Sequence, residues 1–587
     1  MSDRPTRPGR RATGAVAEAL PGTRPGARKW PKTTAGLDLH ACDPDLRRWL
    51  AIRAPDLLAD HGKRLSDFGA WVGGPLDAQA RRVDRFAPPR LDPVDENGTL
   101  QPRLVVDPGY AACHAEAYCR GAIGLCFGER PAPHLLSFIM GYLLGQADVS
   151  IHCPVTLTGA VAVVLDRIAP ADLRERWLPE LTRTDGGALT GATWATERHG
   201  GSDVGATTTT AEPDGPGRAR LTGLKWFCSN AGADLALATA RPAGAPDGPS
   251  GLGCYLVPAR RDDGSANRLT LRRLKDKLGT RALPTGEIAL DRAEAFEVAP
   301  PPHGLRAMLA ALAYSRVHNA MAAAGIARRA FLEAACWAEH RRAFGAPLVD
   351  RPMVRDQLVD LIALADGAAG LALEAAAAYD PALADPAAGP WLRTVTALAK
   401  FDTAEAATLA ARRAVELVGG NGYTEEWPTA RLYRDSLVTA VWEGPANIQA
   451  LELARVVLGD GRGDRSFLAR IETGLAHLPE PLADLAPVLA AAHDACAEAL
   501  ATLRARPATA EGAAFRLMRL MADSLVAVLA VERAAADLGA GDRRKELIAR
   551  RIVALRLGGR RAVDAADPVV DDAILFDAVF HQAEVPA

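Results

Sequence analysis

The stretch Gly191-Ala-Thr-Trp-Ala-Thr-Glu-Arg-His-Gly-Gly-Ser-Asp203 stands where helical periodicity gives way to short, strand-like segments. Downstream of it, apolar runs such as Gly253-Cys-Tyr-Leu-Val257 alternate with clusters of Gly, Asp, Pro and Ser. Short strands with frequent turn signals are typical of a compact barrel or sandwich. On both sides of this region, apolar residues recur at helical spacing and helix breakers are few. The sequence therefore predicts a mainly α protein with a central β-barrel or sandwich domain.

Helical segments on the carboxyl side of the strand-rich region fit a bundle. Residues 308–339, 352–379, 391–418 and 447–458 each combine helical periodicity with few breakers, and four long helices suit that architecture. More helix follows, interrupted by prolines and glycines. We expect, in chain order, a disordered basic tail over 1–35, an N-terminal helical domain over 36–183, a β-barrel domain over 184–304, a C-terminal four-helix bundle over 305–460 and an appended helical domain over 461–587.

Composition argues against several classes of protein. The chain has 587 residues and a net charge of −2, so it has no overall attraction for nucleic acid or anionic membrane. Its nine cysteines are dispersed without a CxxC pair. This distribution argues against a disulfide framework or a metal site and favours a reducing, cytoplasmic location. We expect no membrane span, because the chain lacks a run of 18 uncharged apolar residues.

The amino-terminal segment is rich in Arg, Pro and Gly and lacks the apolar core of a secretory signal. A mitochondrial transit peptide is an alternative, since arginines dominate the segment. Asp3, Glu18 and the prolines disfavour the amphipathic helix of such a peptide, and we expect a disordered basic tail instead.

A single carboxylate in an apolar setting is the leading candidate for chemistry. In Arg431-Leu-Tyr-Arg-Asp-Ser-Leu-Val-Thr-Ala-Val-Trp-Glu-Gly-Pro-Ala-Asn447, Glu443 follows Val441 and Trp442. Apolar surroundings raise the pKa of a carboxyl group, which can then serve as a base near neutral pH. Upstream, Gly419-Gly-Asn-Gly422 can receive a phosphate, or can simply cap the preceding helix. Together the two stretches predict proton abstraction beside a bound nucleotide cofactor.

Two motifs in the strand-rich region offer groups suited to a cofactor. Thr196 and Ser202 carry hydroxyls, and Gly200-Gly201 lets a ligand approach the backbone closely, although the segment can equally be a polar turn. Trp226 and Phe227 are adjacent in a predicted strand, so we expect them to point to opposite faces. One ring can then lie in the core while the other stacks on a flat ligand; an ordinary buried pair is the alternative.

A third motif, Arg341-Arg-Ala-Phe-Gly345, follows the first long helix of the predicted bundle. An arginine at a helix end can clamp a phosphate through two parallel hydrogen bonds. The alternative is a basic helix end exposed to solvent.

In this order and with these intervals, the motifs resemble the acyl-CoA dehydrogenase family, with the similarity running over residues 193–458. The likeness is closest to the AidB-like branch, which is named for an alkylation-response protein of that fold. The resemblance implies a helical, β and helical-bundle fold with an appended C-terminal helical domain. The stretches that mark the branch are Cys153-Pro-Val-Thr-Leu-Thr158, Thr196-Glu-Arg-His-Gly-Gly-Ser-Asp203, Lys225-Trp-Phe227 and Leu274-Lys-Asp-Lys-Leu-Gly279.

The resemblance implies that FAD lies between the barrel and the C-terminal bundle. Hydroxyl and ring positions of the barrel would meet the flavin, and Phe227 replaces the Trp that is common in the family. The contact residues in the helical bundle would reach the diphosphate and adenine of FAD from a neighbouring subunit of a dimer or tetramer. Pro445 lacks the hydroxyl of the usual Thr at its position. The implied cofactor contacts are Thr196, Gly201, Ser202, Phe227, Ser229, Arg341, Phe344, Gly419, Gly420 and Asn447.

The resemblance also implies a reaction. Glu443 matches the catalytic base, while Ser315 stands where some relatives carry that base, and Arg316 matches an active-site arginine. Glu443 would take the α-proton of an acyl thioester while hydride leaves the β-carbon for flavin N5. The thioester can be carried by CoA or by a carrier protein.

Two other functions stay open at the level of sequence. The segment from Arg543 to Arg561 holds eight basic residues and one acidic residue, which can contact DNA phosphates or form a salt-bridged helix face. Neutralising Arg550 and Arg551 would separate these two interpretations. A flavin monooxygenase on the same fold is disfavoured because such relatives tend not to keep the base.

Overall fold

A computed structural model describes residues 32–459, 462–476, 478–539 and 541–558. Most of the predicted basic tail, 1–35, lies outside the described residues. The first part of the described chain is helical, as predicted, and a short β-hairpin that we did not predict interrupts it. Its elements are α1 (Pro44–Arg53), α2 (Pro55–Trp71), α3 (Asp77–Phe86), β1 (Arg90–Val94), β2 (Leu100–Val105), α4 (Pro108–Cys119), α5 (His134–Ala147), α6 (Val149–Arg167) and α7 (Ala171–Leu181), with a π-helical stretch, Val72–Leu76, between α2 and α3.

Helices α5 and α6 form the centre of this N-terminal part. Nearly every residue of both helices is buried, because they pack against each other and against the first long helix of the bundle. The side chain of Asp148 lies at the junction and caps α6 by accepting a hydrogen bond from the Ser150 N–H. A helix that is apolar on all sides belongs in a protein core.

Seven strands form the predicted barrel. Strand β6 pairs with β4 and β7, β7 pairs with β9, β9 with β5, and β5 with β4, so the hydrogen bonding closes into a ring. Strand β3 pairs with β6 in parallel, and β8 pairs with β9 in antiparallel orientation. Closure removes the exposed strand edges that invite aggregation. The strands are β3 (Gly191–Trp194), β4 (Thr210–Pro213), β5 (Arg218–Ser229), β6 (Leu235–Pro242), β7 (Gly253–Pro258), β8 (Leu269–Leu274) and β9 (Thr285–Ala299).

The helical bundle follows the barrel. Its central helix, α8, is buried along most of its length and contacts helices of the N-terminal part as well as the rest of the bundle. Abundant alanine permits this close helix packing. The segment before Glu443, which we did not predict as a helix, forms α12. The elements are α8 (Gly304–His340), the two-residue strands β10 (Arg342–Ala343) and β11 (Ala346–Pro347), α9 (Pro352–Ala377), α10 (Tyr379–Ala384), α11 (Gly389–Val418), α12 (Pro428–Val441) and α13 (Ala446–Leu458).

Two helical stretches, Val149–Arg167 and Pro352–Ala384, are long and apolar enough to cross a membrane. Both are largely buried inside the fold, as core helices are.

The predicted appended region is also helical, with α14 (Gly463–Leu475), α15 (Ala486–Ala505), α16 (Ala510–Leu538) and α17 (Arg544–Arg556). Helix α16 packs against α9 and α13, and α17 packs against α9. Side chains of these helices belong to the same apolar cluster as the bundle. The region therefore shares a core with the bundle.

Candidate active site

Glu443 lies in a tight turn between two helices. Helix α12 ends at Val441, and α13 begins at Ala446. The turn requires a left-handed backbone at two successive residues, with φ of 58° at Glu443 and 94° at Gly444. Glycine adopts this conformation freely, but a residue with a Cβ does so only when its surroundings enforce it.

Three side chains from three helices bind the carbonyl groups of this turn. Arg316 on α8 donates from Nε to the Glu443 carbonyl at 3.0 Å. Gln449 on α13 donates from Nε2 to the carbonyls of Glu443 and Gly444, at 3.0 Å each. Lys400 on α11 donates from Nζ to the Gly444 carbonyl at 2.7 Å. These bonds hold the left-handed turn in place.

The carboxyl group of Glu443 is shielded but not paired. The residue is half-buried, and its Oε2 atom is inaccessible to solvent and has no hydrogen-bond partner in the part of the chain that the structure describes. Burial raises the pKa of Glu443; a hydrogen bond with Ser315 and the charges of Arg316 and Lys400 oppose the rise without overcoming it. A shielded carboxyl with a raised pKa and a free oxygen is suited to accept a proton.

One wall of the site joins the bundle to the barrel. Cys153 on α6 packs with Leu157, Leu283 and Trp442, which precedes the base. Burial, reinforced by the charge of Glu443, raises the pKa of the Cys153 thiol to about 12, while the Ser229 hydroxyl at the end of β5 opposes the rise. The structure thus brings Ser229, predicted to line a flavin, to the same wall as Glu443.

The aromatic pair on β5 differs from its predicted arrangement. The register of β5 against β9 shifts between Lys225 and Cys228. This irregularity breaks the alternation of faces on which our prediction depended. Neither ring lies in the core: Phe227 is 56% exposed, and Trp226 is half-buried beneath Lys275, whose Nζ lies 3.4 Å from the ring centroid. The two rings meet edge to face, 6.5 Å apart.

The Thr196–Asp203 motif is a turn anchored by a buried ion pair. Glu197 and Gly200 exchange backbone hydrogen bonds, and a Cβ built on Gly201 would lie 3.8 Å from Thr196 Oγ1. Ser202 is exposed beside them. Beneath the turn, Lys225 Nζ lies 2.7 Å from Glu197 Oε1, with both side chains buried. Sequence reasoning missed this pair, although Lys225 was part of a motif.

The third group of predicted residues lies at one end of the bundle. Arg341 stacks 5.6 Å from Trp337 at the end of α8, and Trp337 meets Trp427, which follows the Gly419 loop, at 4.9 Å between centroids. Phe344 is 92% exposed, and Gly419 and Gly420 have open space around them. Asn447, in the first turn of α13, is also exposed. These groups face outward, as a contact with another subunit requires.

The residues present fit a flavin. Phe227 offers an exposed aromatic face, and Thr196, Ser202 and Ser229 offer hydroxyls. The free Oε2 of Glu443 belongs to the same part of the site, next to the wall that contains Cys153. Two side chains that hold the base turn, Lys400 and Gln449, were missed in the sequence. A lysine within the apolar run 397–401 could have indicated a buried amine, although the run does not say which groups that amine contacts.

The chain is similar to known proteins over most of its length. Family models match in three parts: the AidB N-terminal domain over residues 30–185, the acyl-CoA dehydrogenase middle domain over 192–293 and its C-terminal domain over 302–458. The putative acyl-CoA dehydrogenase AidB of Escherichia coli K12 is 33% identical over 414 residues, which span 67% of this chain and 74% of that protein.

Two further comparisons concern one nematode. Acyl-CoA dehydrogenase family member 11 of Caenorhabditis elegans is 29% identical over 70% of this chain and 68% of its own length. The crystal structure of C. elegans ACDH-11 in complex with C11-CoA superimposes with a TM-score of 0.84 at 25% identity, covering 94% of this chain and 96% of that one.

Members of the family defined by these domains use FAD. The chain belongs to the acyl-CoA dehydrogenase family, in its AidB-like branch, and is a flavin-dependent oxidoreductase.

Proposed function

We propose that the protein removes two hydrogens from an acyl-CoA thioester, with Glu443 as the base that takes the α-proton. The observation that carries this proposal is the shielded carboxyl of Glu443, whose Oε2 has no partner in the described part of the chain and whose pKa is raised by burial. The solved complex of ACDH-11 with C11-CoA supports a CoA thioester as the substrate. A carrier-protein thioester has the same reacting atoms and is the variant to compare with it.

The α-proton of a thioester is weakly acidic, so the developing enolate oxygen needs hydrogen-bond donors. We assign one of these donors to the Glu443 backbone N–H. The carbonyl groups of the turn already accept hydrogen bonds from Arg316, Gln449 and Lys400. When bound, FAD supplies the acceptor for the hydride that leaves the β-carbon. Arg316 acts on the reaction by orienting the backbone that carries the base.

The cofactor would contact two sets of residues. Phe227, Ser229 and the Thr196–Ser202 turn would meet the flavin from the barrel of one subunit. Arg341, Phe344, Gly419, Gly420 and Asn447 would meet the diphosphate and adenine of a cofactor held mainly by a second subunit. Their outward position supports an assembly that is at least dimeric, and a tetramer extends the same arrangement.

Anaerobic titration of the flavoprotein with a panel of acyl-CoAs tests this function. We expect the yellow flavin absorbance to bleach with one class of acyl chain. Glu443→Gln should retain the flavin and lose bleaching by about 10³-fold or more in rate, since the general base is removed. Glu405→Gln, an exposed glutamate on α11, is the matched control and should bleach normally. Undiminished bleaching by Glu443→Gln would remove the assigned base.

DNA binding receives less support, because the basic helix uses its charges internally. In the described part of the segment, Arg544 pairs with Asp45 at 2.8 Å, and Arg550 pairs with Asp484 at 2.7 Å. The other basic residues also have acidic partners; Arg560 and Arg561 lie outside the described residues. The remaining pairs are Arg543 with Glu546, Lys545 with Asp45 and Asp366, Arg551 with Asp356 and Asp360, and Arg556 with Asp402 and Asp523.

A further inference from the structure

The turn that carries Glu443 needs support from outside the turn. A left-handed conformation is strained at a residue with a Cβ, such as Glu443. The last carbonyls of α12 also lack partners within their own helix, as at any helix end. One of them, that of Thr439, accepts a hydrogen bond from Asn319 Nδ2 at 3.1 Å.

Lys400 supplies support on both sides of the turn. Its Nζ donates to the Ala440 carbonyl at 3.2 Å, in the last turn of α12, and to the Gly444 carbonyl at 2.7 Å, immediately after the base. The side chain is 1% exposed. A single amine therefore fixes the distance between the end of α12 and the residue that follows Glu443. A cation at a helix C-terminus is also favoured by the helix dipole.

The charges around Lys400 come from several elements. Arg316 on α8 and Glu443 in the turn act directly on it. Beyond them, Arg393 on α11 pairs with Glu452 on α13 at 2.6 Å, and both act on Arg316. From α6 of the N-terminal part, the Cys153 thiol faces Glu443. Burial lowers the pKa of Lys400 to about 7, while the charge of Glu443 opposes the decrease.

We propose that Lys400 is a positioning residue for the dehydrogenation, which holds the Glu443 turn by bridging the carbonyls of Ala440 and Gly444. The inference rests on the proposed role of Glu443 as the base. Lys400 makes no assigned contact with the substrate or the flavin. Its effect passes through the backbone that fixes the carboxyl and the N–H of Glu443.

The test compares Lys400→Met, which keeps the length of the stem without a donor, with Lys400→Arg, which keeps the donors. We expect Lys400→Met to bind acyl-CoA as the wild type does but to reduce flavin about 100-fold more slowly, as a misplaced catalytic group does. In the pH profile of its flavin reduction rate, the acid limb should move to higher pH, because a cation that favours ionised Glu443 is lost. Lys400→Arg should recover part of the rate. Arg393→Gln removes a nearby cation that does not touch the turn and should behave as the wild type.

A second measurement does not depend on turnover. Hydrogen–deuterium exchange of peptides covering residues 438–449 should be faster in Lys400→Met and unchanged in Arg393→Gln. If no acyl-CoA reduces the wild-type flavin, the proposed function fails, and the exchange result still decides the role of Lys400 in the turn. Wild-type exchange in Lys400→Met, or a wild-type rate with an unshifted acid limb, overturns the proposal.

Discussion

The molecule contains two buried combinations of lysine and glutamate that are built in opposite ways. In the barrel, Lys225 Nζ lies 2.7 Å from the carboxylate of Glu197, which also accepts hydrogen bonds from Thr208 and Thr209. In the bundle, Lys400 lies near Glu443 but gives its hydrogen bonds to backbone carbonyls, at 2.7 and 3.2 Å.

This difference sets the pKa values of the two carboxyl groups. Burial alone would raise the pKa of Glu197, but the charge of Lys225 and its hydrogen bonds lower that pKa to about 2. For Glu443, burial prevails and the pKa is raised. A carboxylate paired with a lysine stabilises the fold and has little tendency to take a proton. A carboxyl group without an ion-pair partner, on a backbone fixed by hydrogen bonds, remains able to take one.

The largest effect on stability should come from breaking the barrel pair. Glu197→Gln leaves Lys225 buried without its partner, so we expect unfolding free energy to fall by about 3–5 kcal/mol. Chemical denaturation followed by circular dichroism measures the loss. The exposed pair of Glu212 and Arg292 provides the control: Glu212→Gln should change stability by less than about 1 kcal/mol. Equal losses in the two variants would show that the buried pair of Glu197 and Lys225 contributes no more to stability than the exposed pair.

The two glutamates should also respond to pH with opposite signs. Ionised Glu197 stabilises the fold above its unfolded-state pKa of 4.5, and this contribution is lost as pH falls towards about 2. Ionised Glu443 instead destabilises the fold as pH rises above 4.5, because its folded-state pKa is raised.

Thermal unfolding between about pH 3 and pH 8 covers part of the Glu197 range and the Glu443 range, and can compare the variants. Glu443→Gln should gain stability over the wild type as pH rises, while Glu197→Gln should lose it. A common sign for both variants would contradict the distinction between paired and unpaired carboxyls.

The smallest expected effect concerns the hydroxyl beside the base. Ser315 lowers the pKa of Glu443 by a hydrogen bond that favours the ionised carboxylate, and we expect its loss to weaken that form by about 1 kcal/mol. Ser315→Ala should therefore slow flavin reduction about fivefold on the acid limb and leave the rate at high pH unchanged. Ser436→Ala removes a buried hydroxyl that bonds to Tyr433 within α12 and should leave the pH profile intact. A uniform decrease at all pH values would assign Ser315 a different role.

The sequence predicted the layers of this fold because its periodicities change sharply. Short apolar runs bounded by turn residues became β3–β9, and long helical patterns became α8, α9 and α11. It did not predict α12, because the residues of that helix read as a site motif. The β1–β2 hairpin also escaped notice, since its exposed strands carry little apolar alternation.

In the site, the sequence indicated Glu443 by its apolar neighbours and Gly444. It did not indicate the carbonyl contacts of Lys400 and Gln449, because bonds to the backbone leave no pattern of residue types. The predicted arrangement of Trp226 and Phe227 was wrong for a related reason. Strand alternation assumes a regular ladder, and a shift in register is visible only in the pairing.

The ion pairs of α17 have a consequence for how this architecture can change over generations. Asp402, in the middle of α11, meets Arg556 of α17 at 2.5 Å, and Asp366 on α9 is neutralised by Lys545 and by Arg533 on α16. Both aspartates are buried. A chain cut after the bundle would keep these two carboxylates without any cation from the lost helices. Gain or loss of the terminal region thus demands matched replacements inside the bundle, so the region is not a removable module.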